Sequence, residues 1–128
     1  MTRARPAPCD ERGSVSIVVA AVVAALVLLA LGAADVARVL TVAARAQTAA
    51  DAAALAAAQE LALPGELDPA EVAREYAARN AADLVECTCA PETFEAFVTV
   101  RSAVGPLLLF GDDRAVEATA RAVVDLPP

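Results

Sequence analysis

The 128-residue chain has no histidine, no lysine and no tryptophan. Without histidine it lacks the side chain that most often moves protons near neutral pH and most often ligates zinc. Aromatic residues are only 3% of the chain although hydrophobic residues are 59%. Alanine fills the difference, and an alanine-rich chain makes close helix contacts more readily than a large core. Basic charge is scarce in the second half: up to Leu63 five arginines face five acids, whereas from Pro64 onward five arginines face twelve acids. The whole net charge of −7 therefore sits beyond Leu63. Phosphate binding needs a basic face, so nucleic acid is not an expected partner.

Catalytic motifs are missing as well. There is no glycine-rich phosphate loop, no nucleophile elbow and no histidine to activate Ser14, Ser16 or Ser102. The chain is expected to be no enzyme, with no cofactor and no small-molecule substrate. Of the three cysteines, Cys9 should lie across the membrane from Cys87 and Cys89, and with no histidine beside them a zinc site is not expected. Two residues apart on a strand, Cys87 and Cys89 should share a face with Val85 as small buried side chains. A bridge between them is awkward, because extended i and i+2 Cα atoms stand roughly 6.5 to 7 Å apart. A thiol pair, or a bond to another chain in an oxidising compartment, stays open.

What the sequence does have is residues 15–34, VSIVVAAVVAALVLLALGAA, without a charge. As a helix this run spans roughly 30 Å, the thickness of a bilayer's hydrocarbon core. Eleven of its twenty residues are Val, Ile or Leu, which favours insertion by several kcal/mol at about −0.3 to −0.6 kcal/mol each. The length leaves room for this one span and one small domain. Residues 1–14 read as a polar cytoplasmic lead. Arg3, Arg5 and Arg12 precede the span and Arg38 and Arg45 follow it, a slight bias that puts the N-terminus in the cytoplasm and the rest outside. A cleaved secretory signal, cut after Gly32, Ala33 and Ala34, is the competing reading. The apolar run exceeds a typical signal core, and helical sequence continues past the cut with no turn residue.

Residues 35–63 hold neither glycine nor proline, so the span is expected to run on as one helix of about fifty residues, roughly 75 Å long, until Pro64 and Gly65 stop it. Arg38, Thr41, Arg45 and Thr48 share one face, and Val36, Val39, Leu40, Ala43 and Ala50 another. The apolar stripe should cover the chain's own small domain, pack on helices of other subunits, or do both along different lengths. Asp35 and Arg38 read as a solvated ion pair at the membrane surface.

Glu11, Arg12 and Gly13 ahead of an apolar span, then Asp35 and Arg38, then AQTAADAAALAAAQ over residues 46–59, resemble the N-terminal region of the TadE/TadG-like proteins of tight-adherence (Flp) pilus assembly. Gln47, Asp51 and Leu55, in register with the span and with Asp35, carry the likeness. It covers roughly the first sixty residues. The resemblance implies a membrane-anchored helix with a variable extracytoplasmic part, and a role as a minor pilus or secretion component. Pseudopilins of this kind have a glycine followed five residues on by glutamate, where a prepilin peptidase cuts. Here the fifth residue after Gly13 is Val18, which places the chain nearer the TadG-like or short actinobacterial TadE-like type. Through the resemblance, Asp35, Arg38, Gln47 and Asp51 become candidates for helix packing or juxtamembrane contacts.

Beyond the break, Asp68, Pro69 and Glu71 read as N-cap, first turn and capping-box partner of a helix over residues 69–82. Val72, Tyr76 and Ala77 should point inward, and Asn80 and Asp83 close it. Strands are expected over residues 84–90, 94–104 and 115–126, the last with Val116, Ala118, Ala120 and Ala122 alternating with Glu117, Thr119 and Arg121. The apolar residues 107–110 should be buried under the sheet rather than form an exposed tip, with Asp112 and Asp113 in a turn. The expected fold is α+β and membrane-anchored: a long transmembrane helix extending outward, a short helix and a small three-stranded antiparallel sheet, pilin-like. The domain divisions are 1–14, 15–34, 35–63 and 64–128. The function this supports is a single-pass membrane component of a pilus or secretion apparatus, partnered by the membrane and by other pilin-like proteins. A membrane-tethered module whose acidic domain recruits a partner, or a secreted domain, are the alternatives.

Overall fold

The computed structural model describes residues 12–63, 65–112 and 114–125, with side chains from residue 15 onward. Helix α1 (Arg12–Ala62) is followed by α2 (Pro69–Arg79) and by strands β1 (Asp83–Ala90), β2 (Glu95–Ala103) and β3 (Ala115–Val123). The strands form one antiparallel sheet in the order β1-β2-β3. The fold is α+β. Residues 1–11, with Cys9 and most of the expected lead, lie outside the described residues, as do Pro64, Asp113 and Leu126.

Helix α1 runs 51 residues without a break. Among the described residues it is the one helix long and apolar enough to cross a membrane. Its two ends live in different surroundings. From Val15 to Ala30 every side chain is exposed, including Ile17, Leu26 and Leu29, as suits a helix whose packing partner is lipid. From Ala46 onward one face is covered: Ala46, Ala49, Ala50, Ala53, Ala57 and Ala58 are fully buried, with Leu61 at the far end. Spacings of three and four put these residues on one stripe. The stripe expected from Val36 and Leu40 is displaced, since both are exposed and only Ala50 of that group is fully covered.

That alanine stripe is one wall of the core. Ala73 and Ala77 of α2 and the inner face of the sheet, led by Ala96, Val98 and Val100, pack against it. Methyl-sized side chains let the three layers approach closely, and close packing supplies dispersion contacts that bulky side chains would supply by volume. Strand β3 alternates as its sequence demands, with Ala118 buried and Glu117, Thr119 and Arg121 exposed.

Several local expectations change. Asp68 is the N-cap of α2 and Pro69 its first residue, but the Asp68 side chain makes no capping bond; the backbone N–H of Glu71 donates instead to the Asp68 carbonyl at 2.9 Å. The helix closes at Arg79 rather than Ala82, where Ala81 takes a left-handed φ of 58°. Tyr76 is not inward. It is 38% exposed, with the Arg79 guanidinium 5.2 Å from its ring centre.

In β1 a bulge between Leu84 and Glu86 leaves Val85 without a partner on β2. One extra residue reverses the alternation, so Cys87 and Cys89 face the core with Leu84, while Val85 is 51% exposed. Cys87 and Cys89 are joined by a disulfide, their Cα atoms 5.9 Å apart and so closer than extended geometry gives.

The outer face of the sheet is a lattice of paired charges. Arg101 sits opposite Glu117 and donates to it at 2.6 Å, and Arg121 donates to the Glu95 carboxylate at 2.6 and 3.0 Å. The Arg121 hydrogen bonds hold the Glu95 carboxyl below the usual carboxylate range.

Two outcomes follow from this packing. Replacing Ala53 by leucine should lower stability by about 1–3 kcal/mol through overpacking, whereas Leu55→Ala on the exposed side should change it by less than about 0.5 kcal/mol; thermal unfolding of the full chain in detergent reads both. Because folding depresses the Glu95 pKa, its contribution is present above the ordinary carboxylate range and is lost as pH falls through and below it. The melting temperature should therefore fall less on acidification in Glu95→Gln than in the parent.

Candidate functional site

The exposed apolar segment of α1 and the head meet at Asp35, the first charged residue after the apolar run. Asp35 is 2% exposed. Its carboxylate accepts the backbone N–H of Leu108 on Oδ1 and that of Leu109 on Oδ2, both at 2.8 Å. Burying a carboxylate costs several kcal/mol, and hydrogen bonds to a charged group return about 1.5–3 kcal/mol each. Two short ones, divided between the two oxygens, are enough to keep it there.

The loop that supplies these amides is built for the contact. Its neck is closed by the Val104 N–H donating to the Arg114 carbonyl at 2.9 Å, and its tip by the Leu107 N–H donating to the Gly111 carbonyl at 3.3 Å. Gly105 and Gly111, with φ of 75° and 82°, provide left-handed corners that a side chain would strain. Between them the chain turns two of its amides to Asp35 and leaves most of its side chains outside the core. Only Leu107 is buried; Leu108, Leu109 and Phe110 are 65%, 44% and 54% exposed. The expectation that residues 107–110 fill the core is thus corrected: the alanine wall and the valines of β2 fill it without them. Asp112 follows the tip in a bend.

Asp35 and Arg38 do not form the expected ion pair. The carboxylate is taken up by the loop, and the Arg38 guanidinium lies along Gly105, where a Cβ would stand 3.3 Å from Nη2. A groove of about 270 Å³ lies between Val36, Val39 and Leu40 of α1 and Leu107 and Phe110 of the loop, with Asp35 and Arg114 also lining it. It continues down the span past Gly32 to Leu28 and Leu29. Higher on α1, Gln47 donates to Asp51 at 3.0 Å and to the Thr119 carbonyl of β3 at 3.1 Å. Of the sequence candidates, then, Asp35 and Arg38 come together at the loop, Gln47 and Asp51 brace the sheet edge, and Cys87 and Cys89 lie apart on β1. The loop amides were missed because nothing in residues 107–110 signals a partner more than seventy positions away; the one hint was a carboxylate ending an uncharged run.

Replacing Asp35 by alanine leaves two amides unpaired at a buried position, at a cost of about 1–3 kcal/mol each. Amide hydrogen exchange should accelerate at Leu108 and Leu109 while Val98 and Val100 keep their protection, and Asp35→Asn, which keeps one acceptor oxygen, should fall between.

Compared with known proteins, the chain matches the profile of a family described as putative Flp pilus-assembly TadE/G-like over residues 13–60. No curated protein and no solved structure matches it. The matched stretch lies wholly within α1, includes Asp35, Gln47 and Asp51, and stops before α2 and the sheet. Over that helix, and only there, the chain is similar to the TadE/G-like family.

Proposed function

We propose that the protein is a single-pass membrane component of a tight-adherence (Flp) pilus or a related secretion apparatus, acting in the manner of a minor pilin. Residues 15–34 span the bilayer with residues 1–14 in the cytoplasm, residues 35–63 carry the helix outward, and residues 64–128 complete an extracytoplasmic head. The observation that carries this reading is the continuity of α1, apolar on all sides below Asp35 and a structural wall of the head above it. The family match supports a place in pilus assembly.

The exposed side of α1 supports the packing role. Ala33, Ala37, Thr41, Ala44 and Thr48, at spacings of four, four, three and four, form a stripe of small exposed residues. Thr41 and Thr48 satisfy their hydroxyls on the carbonyls of Ala37 and Ala44, so no polar group on the stripe needs water. Such a stripe lets a neighbouring helix approach closely. Recruitment by net acidity has less support, because the sheet's outer face interleaves its acids with arginines.

Removing residues 64–128 would uncover the alanine wall, so point changes on the stripe test the reading more cleanly. In the native cell, Ala44→Leu should reduce piliation and cross-linking to pilin-like membrane proteins, while the head's melting temperature stays within a few degrees of the parent. Normal piliation in cells lacking the protein would reject the role. The intact mass of the membrane-bound protein tests the topology: loss of about 34 residues signals secretion, loss of 13 signals prepilin-type processing, and the full mass signals an uncleaved anchor.

A further inference from the structure

We propose that the loop tip formed by Leu108, Leu109 and Phe110 is a second membrane contact, seated at the boundary between lipid headgroups and acyl chains beside the span. The proposal rests on the reading that residues 15–34 lie in the bilayer. Its occupant is the lipid surface itself.

The level of the tip is fixed by α1. Two loop amides are bound to Asp35, the residue at which the uncharged run ends. From there the side chains reach back along the span: a Cβ built on Gly32 would stand 3.8 Å from Leu109 Cδ1, and Phe110 borders the groove that contains Leu28 and Leu29. Whatever solvent bathes Leu29 and Gly32 therefore bathes the tip. In water, three consecutive large apolar side chains would stand exposed at one end of a head whose interior is mostly alanine and valine.

The polar groups at the tip are arranged for such a boundary. Backbone amides near hydrocarbon need partners within the protein, and a lone carboxylate there is costly. Asp35 and the amides of Leu108 and Leu109 satisfy one another. Arg38, beside Gly105, and Arg114, whose guanidinium lies 5.7 Å from the Phe110 ring centre, flank the tip without a salt bridge among the described residues. Long arginine side chains in that position extend toward headgroup phosphates while their stems stay on apolar surface.

The absence of tryptophan gives a direct test. Phe110→Trp, Leu26→Trp and Phe97→Trp each make a single-tryptophan full-length chain, reporting on the tip, mid-span and outer sheet. Each is reconstituted in phosphatidylcholine vesicles brominated near the glycerol end or near the end of the acyl chain. The tip fluorophore should be quenched at least about twofold, more by the shallow bromines than by the deep ones. The mid-span fluorophore should show the reverse order, and the sheet fluorophore neither. If the mid-span is quenched but the tip behaves like the sheet, the tip is in water and the proposal is overturned while the anchor reading stands. A blue-shifted tip that no bromine quenches is covered by protein, which also overturns it. An unquenched mid-span removes the anchor reading and this inference together. Leu108→Trp repeats the measurement should Phe110→Trp fail to reconstitute.

Discussion

The head depends on the close approach that alanine permits. An alanine methyl buries little area, yet a row of them lets the sheet and α2 settle against the α1 backbone, where many short-range contacts add up. Among the described residues Val98 and Val100 are the largest side chains fully enclosed. A core of this kind is sensitive to shape more than to hydrophobic content, because space rather than greasy surface is limiting. It also makes the apolar stretch and the head inseparable: the wall of the core and the exposed apolar segment are consecutive stretches of one helix.

Where the sequence was informative, local rules were sufficient. Freedom from glycine and proline beyond Asp35 marked the continuation of the helix, proline after aspartate marked the start of α2, and strict alternation marked β3. Misreadings arose where one residue or one distant contact decides. The Val85 bulge shifts Cys87 and Cys89 to the core face, and no pattern in a single strand records which of its residues lacks a partner. Asp35 looked like half of a surface ion pair because Arg38 is its neighbour on the helix. Its true partners arrive from a loop at the far end of the chain.

The same contact explains why the apolar loop is outside the core. Two glycines reverse the backbone so that its amides reach Asp35, and Leu108, Leu109 and Phe110 are left exposed outside the core. Hydrophobic content alone suggested burial. Hydrogen bonding to a buried carboxylate fixes the loop's orientation, and the core, already filled by small residues, has no room to compete.

An unbroken rod also transmits motion. The stretch of α1 beyond Asp35 is about 40 Å long, so leaning the anchor by about 20° within the bilayer would swing the outer end of the head through roughly 14 Å. With no glycine or proline to act as a joint between Asp35 and Leu63, little of that lean would be absorbed on the way. A head built on so stiff a rod would follow the inclination of its root as a pointer follows its pivot.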